Sequence, residues 1–180
     1  MKIGAPTETA EGEARVALTP ESAERLQKLG YECLVESGAG AAASITDAAY
    51  EAAGASLGDD AAATLADADI VLKVQRPLTE AEGGPDELSC LKAGAKLIGL
   101  MSPYADPGLV QAYANAKIDA FAMDLLPRIT RAQSMDALSS QANIGGYKAA
   151  LLAAERLPRM FPMMMTAAGT ITPAHVFVVG

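Results

Sequence analysis

The densest run of chemistry-bearing side chains is Arg128-Ile129-Thr130-Arg131-Ala132-Gln133-Ser134-Met135-Asp136, continued by Ser139-Ser140-Gln141. Two guanidiniums this close suit a pyrophosphate, because each presents a fork of N–H donors that matches anionic oxygens. Gln133 carries a donor and acceptors on one group, which suits an amide on a ligand. Asp136 can accept from sugar hydroxyls. Alternatively, Ser134 or Asp136 caps the helix that follows and the arginines are solvated. The residue types leave both open.

Arg15, Lys73 and Arg76 are the other cationic candidates. Lys73 sits inside the apolar run Ile70-Val71-Leu72-Lys73-Val74, where an ammonium must find a partner or a solvated cleft. It and the arginines would bind a carboxylate or phosphate, or form structural ion pairs with acids such as Glu13 or Glu36. Cys33 in a strand and Cys90 in a short helix have no histidine nearby in sequence, so neither reads as a thiol nucleophile. The single histidine, His175, rules out a multi-histidine metal site, receives no role, and leaves no metal expected. Gly38-Ala39-Gly40 reads as a turn. Met163 to Met165 reads as a flexible surface or a packed crossover.

These residues need a scaffold, and the pattern alternates strand with helix. Strands are expected at Ile3–Ala5, Tyr31–Glu36, Ile70–Val74, Lys96–Leu100 and Ile118–Met123. Helices are expected at Pro20–Leu29, from Thr46 or Asp47 through Ala53, at Asp60–Ala66, at Asp86–Lys92 and from Asp106 or Pro107 through Ala116. Thr19 and Pro20 form a start signal and Gly30 a stop. Strands separated by short helices predict βαβ units and a mainly parallel sheet, whose ligands sit beyond strand ends. The Arg128–Asp136 stretch falls just there.

Asp136 to Leu157 reads as one long helix with Leu138, Ala142, Ala149, Leu152 and Ala153 on one face. Gly145-Gly146 in its middle suggests a close backbone approach or a kink. The closing run Val176-Phe177-Val178-Val179-Gly180 reads as a strand. It is either the last of the sheet or the first of a dinucleotide-binding fold entering its glycine loop.

At 180 residues the chain is about one domain, or one and part of a second. With 51% hydrophobic and 20% charged residues it is globular. The net charge of −8 disfavours nucleic-acid or anionic-membrane binding by the whole surface. No apolar run is long enough for a membrane span, and no signal peptide is evident.

Several segments together resemble the NAD(H)-binding component of the alpha subunit of proton-translocating NAD(P) transhydrogenases, in the alanine dehydrogenase/transhydrogenase N-terminal domain family. They are Lys2-Ile3-Gly4-Ala5-Pro6-Thr7-Glu8, Glu13-Ala14-Arg15-Val16, Glu36-Ser37-Gly38-Ala39-Gly40, Leu72-Lys73-Val74-Gln75-Arg76-Pro77, Met165-Thr166-Ala167-Ala168-Gly169-Thr170 and, most diagnostic, the block from Pro127 to Tyr147. The related alanine dehydrogenases would have a lysine at position 75 and a histidine after the Lys96–Leu100 strand. This chain has Gln75 and Leu100-Met101-Ser102, so it lacks the groups that bind and protonate a keto acid.

The resemblance implies a Rossmann-like, flavodoxin-like three-layer α/β domain (1–135), a long connecting helix (136–158), and a crossover with the first strand of a truncated NAD-binding domain (159–180). It implies that NAD(H) is held by Arg128, Gln133, Asp136 and Ser139. Arg128, Gln133 and Asp136 would position the ring for direct hydride transfer to NADP(H) on a partner component. It further implies a homodimer, attached peripherally to the bacterial inner membrane through NADP(H)-binding and membrane-spanning partners. The glycine-rich loop would begin where this chain stops, so the chain alone is expected to be inactive. A dimerising or regulatory module without hydride transfer is the competing expectation.

Overall fold

The computed structural model describes residues 1–78 and 86–179. The loop expected at Glu80–Pro85 and the last residue, Gly180, lie outside them. The chain divides into two compact units, Met1–Met135 and Asp136–Gly180.

The first unit runs β1 (Lys2–Ala5), α1 (Pro20–Lys28), β2 (Glu32–Glu36), α2 (Asp47–Ala52), β3 (Ser56–Gly58), α3 (Ala61–Leu65), β4 (Ile70–Gln75), β5 (Lys96–Leu100), α4 (Pro107–Asn115) and β6 (Asp119–Ala122). Side-chain caps begin its helices. The Thr19 hydroxyl accepts from Ser22 N–H at 3.3 Å before α1, Thr46 does the same for Ala49 before α2, and the Asp60 carboxylate takes Ala63 N–H at 2.7 Å before α3. Each satisfies a donor that the first helical turn leaves open.

The strands form one six-stranded sheet in the order β3-β2-β1-β4-β5-β6, and every neighbouring pair is parallel. Alternation puts successive side chains on opposite faces. Ile3 and Ala5 of β1 join Cys33 and Val35 of β2 in a core with Leu18, Ala23 and Tyr50. Val71 and Leu97 point the other way, into a core with Leu65, Leu91, Leu109 and Tyr113. Helices therefore cover both faces. The chain winds outward from β1 to β3, returns to β4 beside β1, and winds outward again. This is the doubly wound order, whose crevice opens at the carboxyl ends of β1 and β4.

The structure differs from the sequence expectation in four places. β3 is not among the expected strands: it has three residues and ends in glycine. The helix expected at Asp86–Lys92 is a 3₁₀ turn, Glu87–Cys90, capped by Asp86. In the second unit, α5 (Ala137–Arg156) is one helix with no buried residue. A Cβ at Gly145 or Gly146 would meet no atom of another element within 4 Å, so the expected close approach is not seen. Finally, Val176–Val179 is not a strand: all four are exposed and unpaired among the described residues. A β-branched run becomes a strand only with a ladder partner. The strands that do form here are the antiparallel pair β7 (Met164–Thr166) and β8 (Gly169–Ile171).

Candidate functional site

The segment after β6 places the first of the expected ligand-binding residues. A 3₁₀ turn at Met123–Leu125 leads through Pro127 into a second, Thr130–Met135. Ile129 N–H donates to the Pro127 carbonyl and Ala132 N–H to the Ile129 carbonyl, each at 2.9 Å. Ala132 is buried and serves as the anchor, while Arg128, Arg131, Gln133 and Ser134 are exposed around it. Cations and an amide are thus displayed on a tight turn beyond a parallel strand.

Asp136 and Ser139 belong to the second unit, where the structure brings them together. Asp136 caps α5: Oδ1 accepts Ser139 N–H at 2.9 Å and Oδ2 accepts the Ser139 hydroxyl at 2.6 Å. Ser140 Oγ donates to the Asp136 carbonyl. Capping uses part of the carboxylate, and each oxygen keeps a lone pair for a further donor. The capping alternative is therefore realised at Asp136 and not at Ser134.

The crevice between the ends of β1 and β4 is filled by internal pairing. The β4–β5 register shifts between Leu72 and Gln75, which frees two β4 amides from the ladder. Glu8, on the loop leaving β1, accepts both: Val74 N–H at 2.6 Å and Gln75 N–H at 3.2 Å. Lys73 Nζ donates to both oxygens of Glu87, at 2.7 and 2.8 Å, and lies 3.8 Å from Glu8 Oε2. All three side chains are at most 2% exposed. Burial pushes the Glu8 carboxyl above its ordinary value, against the pull of Lys73 and the two amides.

Lys73 therefore forms a structural ion pair, with Glu87 and Glu8 and not with Glu13 or Glu36. Glu13 is taken by its near neighbour Arg15, whose Nε and Nη2 donate at 2.7 and 2.6 Å, and by Gln75 Nε2 at 2.9 Å. The Arg15 hydrogen bonds, helped by Gln75, hold Glu13 down at about 2. Glu36 accepts from Thr7 N–H. Burial pushes the Cys33 thiol up, which suits an apolar filler and not a nucleophile.

Sequence reasoning missed Asp124. Its two oxygens accept Met101 N–H at 2.8 Å and Ser102 N–H at 2.9 Å. An acid at a strand exit was the available signal, and nothing in the sequence said which amides it would meet.

Two pockets lie in the first unit. One, about 350 Å³, is apolar, with Met101, Val110, Tyr113, Ile118 and Leu125 among its walls. The other, about 580 Å³, lies over the turn from Gly38 to Ala48. Neither includes the expected site residues. Among the described residues, no group of histidines, cysteines and acids could hold a metal, and no helix is long and apolar enough to cross a membrane.

The sequence pattern of the alanine dehydrogenase/PNT N-terminal domain matches residues 4–145. A parallel doubly wound domain with a polar turn beyond its edge strand is what that match describes, and the chain belongs to this family. Over its whole length it is 52% identical to the first of the separate parts of the NAD(P) transhydrogenase subunit alpha of Rhodospirillum rubrum, and it covers 47% of that protein. It is 32% identical to the alanine dehydrogenase of Mycobacterium tuberculosis, again over 47% of that protein. Among solved structures, a transhydrogenase from Sinorhizobium meliloti matches with a TM-score of 0.88 and 45% identity, over 97% of this chain and 50% of that one. The chain thus spans about half the length of these relatives.

A nicotinamide dinucleotide fits this donor set. Arg128 offers a guanidinium fork to phosphate or carboxamide oxygens, Gln133 pairs with an amide, and Asp136 and Ser139 accept from and donate to ribose hydroxyls. Arg128 and Gln133 have their polar ends in solvent.

Proposed function

We propose that this chain is the N-terminal portion of the NAD(H)-binding component of a NAD(P) transhydrogenase. It would comprise a Rossmann-like domain (1–135), a connecting helix (136–158) and the beginning of a second, nucleotide-binding domain (159–180). The observation that carries the proposal is the exposed Arg128–Gln133 turn, anchored by Ala132 beyond the sheet, in a chain half identical to a transhydrogenase alpha polypeptide.

When bound, the nicotinamide ring supplies the hydride that passes between NAD(H) and NADP(H). The chain's own role is to hold and orient. Arg128 binds cofactor oxygens, Asp136 and Ser139 take the ribose or amide, and Gln133 reaches toward the partner's nucleotide. Positioning of this kind supplies several kcal/mol of barrier lowering without a proton donor. That suits the crevice, whose Lys73, Glu13, Arg15 and Gln75 are all engaged within the chain. A keto-acid reduction would need a free cation and an acid there, and the β5 exit offers Met101 and Ser102.

As partners we propose a second copy of the chain, an NADP(H)-binding component and a membrane-spanning component. Together these hold the protein peripherally at the inner membrane. α5, with Ile144, Tyr147 and Leu151 exposed, is the element we assign to the contact between copies.

Saturation-transfer NMR on NADH tests the nicotinamide assignment and detects weak binding. The nicotinamide protons should receive the strongest transfer, and Arg128→Ala should remove it. Transfer strongest at the adenine would overturn the assignment.

A further inference from the structure

We propose that Asp124 is a positioning residue, the bracket that fixes where the Arg128–Gln133 turn leaves the sheet. This rests on the cofactor reading of that turn and adds a residue to it.

Two neighbouring strand exits have to be tied together here. β5 and β6 are parallel neighbours, paired from Lys96↔Asp119 to Gly99↔Ala122. Beyond Ala122 the ladder ends, and nothing in a parallel sheet fixes the direction of the departing chain. Asp124 is one of the first residues past that point. Its half-buried carboxylate reaches across to β5 and accepts Met101 N–H at 2.8 Å and Ser102 N–H at 2.9 Å. The two oxygens thus replace the ladder partners that those amides lose at the strand end.

Ser102 gives the second observation. It has φ of 44° and is not glycine. A residue with a side chain keeps that left-handed conformation only where its surroundings hold it, and the Asp124 oxygen on its amide is such a hold. The bracket therefore fixes the β5 exit and the 3₁₀ turn Met123–Leu125 at once. Pro127 then limits the backbone freedom between that turn and Arg128. A guanidinium and an amide that must meet a ligand within a fraction of an ångström gain from such support.

Asp124→Asn keeps the size of the side chain and turns one acceptor into a donor that faces an N–H. Asp124→Glu keeps the carboxylate on a longer arm. Hydrogen–deuterium exchange with mass spectrometry, run on the whole chain, reads the bracket directly. In Asp124→Asn, exchange over 126–135 and at 101–102 should rise at least about tenfold, as expected for losing a charge-assisted hydrogen bond. Exchange in β1 and β2 should stay as it was. Asp124→Glu should recover part of the protection. Saturation transfer to the nicotinamide protons of NADH should fall with Asp124→Asn and recover in step with Asp124→Glu.

Unchanged exchange over 126–135 would overturn the proposal. So would faster exchange there with undiminished transfer to NADH, since the bracket would then serve stability alone. If the unaltered chain transfers nothing to NADH, the cofactor reading fails, and the exchange result by itself decides whether Asp124 holds the turn.

Discussion

Lys73 and its two carboxylates show what a single buried charge demands. An ammonium in an apolar strand costs too much unless paired and hydrogen-bonded, and here Glu87 and Glu8 surround it at 1–2% exposure. Lys73→Ala would leave two acids facing each other without a cation. The expected loss is about 3–5 kcal/mol, read from urea denaturation. The carboxyls also divide by pH. Glu13, held at about 2 from an ordinary 4.5 by Arg15, contributes stability that is complete above 4.5 and lost as pH falls through about 2. Glu8 is raised by burial, so it opposes folding as pH rises from 4.5 through its raised value, and Glu8→Gln should flatten that limb. A carboxyl-carbon NMR titration should find the two midpoints on opposite sides of 4.5. That Lys73 needs a partner was legible in the sequence. Which acids would supply it was not, because Glu8 and Glu87 are distant in sequence and meet only through the strand order.

At the scale of elements, local signals carried furthest where they were complete. Thr19, Pro20 and Gly30 bound α1, and Asp136 starts α5. Signals that depend on a partner carried less far. β3 was missed because three residues paired to β2 leave no period to read, and Val176–Val179 has the composition of a strand without a neighbour. Gly4 shows how closely elements meet. A Cβ there would lie 2.8 Å from the Thr64 carbonyl oxygen and 3.0 Å from Ala68 Cβ, so the approach of α3 to β1 depends on its absence. Gly4→Ala should cost about 1–3 kcal/mol by overpacking and lower the melting temperature. Gly145→Ala meets open space on α5 and should raise helix stability by up to about 1 kcal/mol, unless a second copy of the chain comes close there.

For the whole molecule, the parallel doubly wound order was legible from alternation alone, and the family from the Pro127–Tyr147 block. The crevice contents were not, since a bulge in β4 and a loop from β1 decide them jointly. Family membership and a length about half that of the matched relatives put the weight of the functional proposal on four side chains, Arg128, Gln133, Asp136 and Ser139. Backbone ¹⁵N–¹H spectra of the chain titrated with NADH test this most directly. If these residues hold the cofactor, the amide signals from Arg128 to Ser139 shift progressively, and Arg128→Ala abolishes the shifts. Shifts confined to the pocket between Gly38 and Ala48, with Arg128 to Ser139 unmoved, would contradict it.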